Sequence, residues 1–313
     1  MSVFTPVSES DAHALLDHYT LGDLEGLEGI AQGVENTNYF LTTTTGGYVL
    51  TLFEHIPRAD LPFYVNLMAH LAANEVPCPV PMARDDGQLL STVNGKPAVI
   101  ISRLAGAPVT KPGPHECREA GRLLARVHAA AVSYDAGLAN WRGREWREAF
   151  AAQVAPKLSA DENRLIRTEN DFQAMYHENL LPQGIIHGDY FHDNVLWDDE
   201  GAPGVIDFYF ACDDVLLYDV AIAVNDWCSN PDATLDAERV HAFLEGYRHE
   251  RPLEDTELQL WPVMLRRAAL RTWLGRLGYN HFPRDSQMTI PKDHAFSRRL
   301  LEHHVATARP LEA

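Results

Sequence analysis

Strand-like patterning in this chain is confined to two places, and that confinement limits the folds open to it. In the first hundred residues, Thr37–Thr43 and Gly47–Phe53 face each other across Thr44-Thr45-Gly46 as a hairpin. Gln88–Val93 and Lys96–Leu104 flank Asn94-Gly95, the dipeptide best suited to a tight two-residue hairpin turn. Helices are expected after Ser8-Glu9-Ser10-Asp11, which can cap one, and over 59–73. The proline-rich VPCPVPM that follows is an extended connector. Beyond Leu104 apolar residues recur at helical spacing over 115–132, 145–154, 162–179, 236–248, 255–277 and 293–308. Only the segment from Gly184 to Asp207 interrupts them, with IIHGD, NVLW and GVIDF. The pattern predicts an α+β chain of two lobes: a β-rich one over 1–104 and a larger, mostly helical one over 105–313.

The embedded strand-like segment also carries the chemistry. HGDYFHDN, His187 to Asn194, begins where the apolar Gly-Ile-Ile runs out into a loop. Asp189 and Asn194 are five positions apart, the D-x-x-x-x-N spacing of a kinase catalytic loop. Such a loop must hold a carboxylate against a substrate hydroxyl while the amide five residues on reaches a metal. Asp207 follows in V-I-D-F, a second carboxylate at a strand end, with Tyr209 where a D-F-G motif has glycine. A carboxylate and an amide are hard oxygen ligands and suit Mg²⁺. The histidines of the same stretch, His187 and His192, would also fit a dinuclear metallohydrolase. That reading needs further histidines from later strands, and after Asp207 the nearest is His241, on an expected helix.

These motifs resemble the aminoglycoside phosphotransferase and choline kinase superfamily. GIAQGVENTNYFL, YVLTLFE, PCPVPM and DVAIAVNDWC are similar to the type II homoserine kinases of bacterial threonine biosynthesis, over a span from Phe4 to Leu301. The resemblance implies a protein-kinase-like bilobal fold, with the active site in the cleft between lobes and the first lobe, ending in a hinge, binding nucleotide. It implies ATP as phosphoryl donor, Mg²⁺ as cofactor and the hydroxyl of L-homoserine as acceptor. Asp189 becomes the catalytic residue, and Asn194 and Asp207 the metal ligands. The loop with Gly33, Asn36, Thr37 and Asn38 covers the phosphates, while Ser102 and Leu104 belong to the segment that holds adenine by its backbone. Choline, ethanolamine or another amino alcohol is the alternative acceptor, and a non-catalytic nucleotide-binding protein is the alternative from another class.

One departure stands out. The strand that should carry the kinase lysine reads Tyr48-Val-Leu-Thr-Leu-Phe53, with Thr51 at the position of the base, and no glutamate lies between Asp60 and Asn74 to pair it. Arg58, Lys96 and Arg103 are the candidate replacements. For the acceptor, Arg267 and Arg271 lie one helical turn apart and can be read as a solvated face or as a carboxylate clamp. Asp213 is a candidate for an ammonium, and Tyr209 and Trp227 for the pocket wall.

Composition narrows the partners. With 26 basic and 44 acidic residues the net charge is −18, which argues against a nucleic-acid partner. Four scattered cysteines, Cys78, Cys117, Cys212 and Cys228, form no C-x-x-C pair and suit a reducing compartment. No basic-then-apolar leader or membrane-length apolar run is present, so a cytoplasmic location is expected.

Overall fold

The structure, a computed structural model, describes residues 3–30, 35–176, 180–282 and 293–312. The chain divides into two compact units, one running to Ala105 and the other starting at Gly106.

The first unit is built on a five-stranded antiparallel sheet in the order β1-β2-β3-β5-β4. Its strands are β1 (Leu24–Gly29), β2 (Thr37–Thr43), β3 (Gly46–Leu52), β4 (Ser91–Val93) and β5 (Lys96–Ser102). Both expected hairpins are present, and Asn94 takes a left-handed φ of 50° in the second turn. Helix α1 (Glu9–Leu16) starts at Ser8 with a reciprocal Ser8–Asp11 capping box. Its Ala12, Leu15 and Leu16 join Tyr39, Leu41, Leu50, Leu52, Ala98 and Ile100 in one core cluster. Because strand side chains alternate, Asn38, Phe40, Val49, Thr51, Val99 and Ile101 then belong to the opposite face. Helix α2 (Leu61–Ala73) carries Pro62 in its first turn and is buried along most of its length. The proline connector lies against β5, with Met82 N donating to Ile100 O and Ser102 N to Val80 O.

The second unit holds seven α-helices among its described residues. They are α3 (Pro114–Ala131), α4 (Arg144–Val154), α5 (Ala160–Ala174), α6 (Leu216–Trp227), α7 (Ala237–Glu250), α8 (Asp255–His281) and α9 (His294–Thr307). The expected α5 was longer; its end at Asn179 lies outside the described residues. The α3 and α7 helices touch backbone to backbone: a Cβ on Gly121 would strike the carbonyl oxygen of Phe243, and one on Gly246 that of Arg118. Helix α8 absorbs Pro262, which leaves the Leu258 carbonyl without its intrahelical donor. Leu311 N supplies the missing bond at 3.0 Å.

The strand-like pieces appear as β7 (Gln183–Ile186), β8 (Val195–Trp197) and β9 (Pro203–Val205). Each needed a partner that the pattern did not announce. β10 (Cys212–Val215) pairs with β7, and the two-residue β6 (Ala107–Pro108) completes the β6-β8-β9 sheet. Among the described residues no helix is long and apolar enough to cross a membrane, and all four cysteines are free and buried.

Helices α6, α8 and α9 are joined by a buried polar chain. Asn225 Nδ2 donates to Leu265 O at 3.0 Å, and its Oδ1 accepts from His304 Nε2 at 2.7 Å. Burial, helped by the charges of His303 and Arg266, pulls the His304 pKa down to about 3 from 6.5. Below about pH 6.5 the unfolded chain therefore takes up a proton that the folded one refuses, and stability is lost as pH falls from there towards about 3. His304→Gln, which keeps a donor for Asn225, should show a smaller drop in Tm between pH 7 and 4.5 than the wild type. Equal drops in a pH series of thermal melts would contradict this assignment.

Candidate active site

The loop after β7 is held by a carboxylate from α6. Asp219, fully buried, accepts from His187 N at 2.7 Å and Gly188 N at 2.9 Å. His128 Nε2 of α3 donates to it at 3.0 Å, and His128 Nδ1 lies 2.8 Å from Tyr247 OH of α7. Burial alone would raise the Asp219 pKa, but the His128 and His187 hydrogen bonds and charges outweigh it and hold it below the ordinary value. His187, also fully buried, is pushed towards its neutral form by desolvation. Its Nε2 donates to Ile206 O at 3.0 Å and its Nδ1 accepts from Asp189 N at 3.2 Å. Both ring nitrogens are therefore bound inside the fold. His192 places both its amide and Nδ1 2.7 Å from Asp226 Oδ2. Neither histidine has the disposition of a hydrolase metal ligand.

With the loop fixed, Asp189 is left at its mouth, its side chain 16% exposed. Asn194 closes the turn: its Nδ2 donates to Asp189 O at 2.8 Å, and its carbonyl accepts from Ile206 N at 2.9 Å. That backbone bond brings Asp207 beside Asn194. Asp207 has φ +65°, a left-handed conformation costly for a residue with a Cβ. Because the Asn194 amide nitrogen is turned to Asp189, its Oδ1 is the atom left to face an ion. An amide oxygen and a carboxylate fit Mg²⁺, a hard cation. Among the described residues no group of three or more His, Cys, Asp or Glu could hold a metal, so an ion here would draw most of its ligands from phosphate and water.

Arg271 lies directly on Asp189. Both its Nη atoms are 3.2 Å from Asp189 Oδ1, and Nη2 also donates to Gly188 O at 2.7 Å. Burial would pull this guanidinium's pKa down, and the Asp189 charge more than offsets that. A small pocket opens beside the pair, lined by Asn140, Trp141, Arg142, Phe210, Tyr218 and Arg271 among others.

Several expected acceptor residues are placed otherwise. Arg267 is bidentate to Asp214, at 2.9 and 2.7 Å, with both side chains buried; its fork braces the fold and is no open clamp. Asp213 lies on the face of β10 opposite Cys212 and Asp214, and Cys212 lines the pocket. Asp213 thus points away. Trp227 is fully buried, stacked on Tyr190 and donating from Nε1 to Tyr190 O at 3.1 Å, a core residue. Tyr209 is 8% exposed, and its neighbour Phe210 lines the pocket instead. Sequence reasoning missed Arg142 and Phe210. It gave no role to Asp219, although a lone acid in the apolar run LLYDVAIAV was a signal of a buried anchor.

In the first unit, Gly33 lies outside the described residues. Asn36 is buried, with Oδ1 lacking a hydrogen-bond partner among the described residues. Asn38 Oδ1 accepts from Thr51 Oγ1 at 2.7 Å, so the buried Thr51 acts as a brace for Asn38. Thr37 is turned to the α1 face, its hydroxyl donating to Glu54 Oε1 at 2.7 Å and accepting from Phe4 N; its side chain is not on the face of Asn38. Lys96 shares that α1 face and is paired with Glu54 at 3.0 Å. Arg58 is exposed. Arg103 differs: its guanidinium sits 4.1 Å over the Phe40 ring, on the face of Asn38 and Thr51. Ser102 Oγ and N both bond Val80, while the Leu104 amide is in no such bond among the described residues.

The chain is 49% identical over 313 residues to a homoserine kinase from Methylobacillus flagellatus, covering all of this chain and 98% of the relative. It is 42% identical to a homoserine kinase from Janthinobacterium sp., covering 99% and 98%. Among solved structures, amicoumacin kinase hAmiN, in complex with AMP-PNP, Ca²⁺ and Ami, superposes with a TM-score of 0.75 at 16% identity, over 98% of this chain and 96% of that one. A microcompartment-associated aminopropanol kinase gives 0.69 at 18% identity, over 95% and 94%. The fold is thus the protein-kinase-like one of the aminoglycoside phosphotransferases and choline kinases. The profile of the phosphotransferase enzyme family matches residues 26–253, and the chain belongs to that family.

Proposed function

We propose that this protein is a homoserine kinase that transfers the γ-phosphoryl group of ATP to the side-chain hydroxyl of L-homoserine. The observation that carries this reading is the end-to-end similarity to homoserine kinases; the Asp189 loop supplies a matching chemistry. Arg271 binds Asp189 Oδ1, and Oδ2, which lies 3.4 Å from Asn194 Nδ2, serves the acceptor. That oxygen orients the homoserine hydroxyl and takes its proton as the new O–P bond forms and the bond between the γ-phosphorus and the bridging oxygen breaks, releasing ADP. Catalysis of this kind is mostly positioning and charge stabilisation. Asn194 Oδ1 and Asp207 would hold Mg²⁺, which when bound neutralises charge on the phosphate oxygens.

For the nucleotide, Asn36 and Asn38 at the start of β2 would cover the phosphates, with Thr51 bracing Asn38, and the Leu104 amide, without a hydrogen bond among the described residues, suits the adenine edge. Arg103 is the cation that takes over from the absent lysine, because its guanidinium lies over Phe40 on the Asn38/Thr51 face. Lys96 is held on the other face by Glu54.

An ATP-coupled assay over L-homoserine, choline, ethanolamine and kanamycin tests the acceptor. A site built to pair both the ammonium and the carboxylate should favour homoserine by ~10² or more in kcat/KM. Choline or ethanolamine turning over faster would overturn the acceptor and leave phosphoryl transfer standing. For the cation, Arg103→Ala should raise the KM for ATP about tenfold, ~1.4 kcal/mol, with the KM for homoserine unchanged. Lys96→Ala should leave both within about twofold and lower Tm, as loss of a partly buried ion pair does. The reverse pattern would move the phosphate contact to Lys96.

A further inference from the structure

Tyr218 stands in the first turn of α6, one residue before the Asp219 that anchors the Asp189 loop. Successive residues on a helix point about 100° apart. The turn that sends Asp219 to the amides of His187 and Gly188 therefore sends Tyr218 to another side, where it lines the pocket together with Gly188 and Arg271. Its ring is fixed there. The Arg267 guanidinium, itself bidentate to Asp214, lies 3.8 Å from the ring centroid, and the residue is 2% exposed.

The hydroxyl at the end of that ring has no hydrogen-bond partner among the described residues. A buried tyrosine hydroxyl ordinarily finds one, and leaving it without is costly. Tyr190 and Tyr247, equally buried in this unit, are bonded to Ala120 O at 3.0 Å and to His128 Nδ1 at 2.8 Å. Burial pushes the Tyr218 pKa above the ordinary 10, and the charges of Arg267 and Arg271 pull it back only in part. At neutral pH the group keeps its proton and can donate. Two arginines, Arg142 and Arg271, line the pocket with it, and no acidic side chain does among the described residues. Both guanidinium groups are engaged within the protein, Arg271 with Asp189 and Gly188, Arg142 with the Trp141 and Phe210 rings and with further groups. Their positive charge still disfavours an ammonium beside the hydroxyl and favours an anion. Asn140 adds a donor to the lining, since an amide carries two N–H bonds and one of them goes to Asp214 at 2.6 Å.

We propose that the Tyr218 hydroxyl donates a hydrogen bond to the α-carboxylate of the acceptor, and that this contact makes the pocket select hydroxylated amino acids over amino alcohols. The proposal rests on the reading of the acceptor as L-homoserine. It gives the carboxylate a contact other than Arg267, which Asp214 occupies, and leaves Arg271 to position Asp189.

The test uses the full chain and Tyr218→Phe, which removes one oxygen and keeps the ring against Arg267. L-Homoserine is compared with 3-amino-1-propanol, which keeps its hydroxyl and ammonium and lacks its carboxylate. The variant should raise the KM for homoserine ~10-fold or more, the scale of one hydrogen bond to a charged group. It should change kcat/KM for 3-amino-1-propanol and the KM for ATP by less than about threefold. A rise confined to the KM for ATP would place the hydroxyl on a phosphate and overturn the proposal. L-2-Aminobutyrate, which has no hydroxyl, gives a readout free of turnover. Trp141 lines the pocket, so quenching of tryptophan fluorescence should report wild-type binding and at least about fivefold weaker binding by Tyr218→Phe. Equal losses on both alcohols, or unchanged selectivity between them, would reduce Tyr218 to a packing residue and overturn the proposal. A wild type that binds L-2-aminobutyrate through Tyr218 yet does not phosphorylate homoserine would overturn the acceptor reading and leave this contact standing. A wild type that does neither overturns both.

Discussion

Asp219 is a carboxylate with no exposure to water, and three donors from two different parts of the chain converge on it: His187 N, Gly188 N and His128 Nε2. A buried charge is tolerated only when it is bonded in this way, and removing one partner strands the others. The two amides are the first of the loop that ends at Asp189, so the loop cannot move without leaving an ionised group unpaired. His128 stands on α3 and is backed by Tyr247 on α7. The close contact of those helices depends on Gly121 and Gly246, where any side chain would collide with a carbonyl. Helix packing far from Asp189 in sequence thereby sets where Asp189 lies.

Around that fixed point the charges are divided among separate jobs. Arg267 and Asp214 satisfy each other, and Asn140 shares the same carboxylate. Arg271 bonds one oxygen of Asp189 and the Gly188 carbonyl, a geometry that aims the carboxylate and still leaves an oxygen for a proton. Arg142 is held by rings. Arg142 and Arg271 line one pocket in a chain whose net charge is −18.

The parts of this architecture with strong local signals were legible in the sequence. Asn94-Gly95, the Ser8 cap and the hairpin alternation are decided within a few residues, and they are formed as read. Helix α6 was not anticipated, because Leu216–Trp227 is buried nearly all round and shows no amphipathic stripe. The distinction between Asp213 and Asp214 was equally invisible: a shift of one residue on a strand reverses the face, and only the pairing of β10 with β7 sets it. The arginines four apart on α8 looked like one clamp, yet each finds its own carboxylate, contributed by residues 189 and 214. Arg142 had no motif to mark it, since its place beside the pocket follows from a loop tied to a strand about seventy positions later in the chain.

The central claim is that Asp189 takes the acceptor's proton in a phosphoryl transfer from ATP. Asp189→Asn keeps the shape of the side chain and removes the basic oxygen, so steady-state kinetics with ATP and L-homoserine, alongside calorimetric titration of the nucleotide, test it directly. The account predicts that kcat falls by roughly 10² to 10⁴, the range of a general-base contribution, while ATP binds as it does to the wild type. A variant that binds ATP normally and keeps more than about a tenth of wild-type kcat would contradict it.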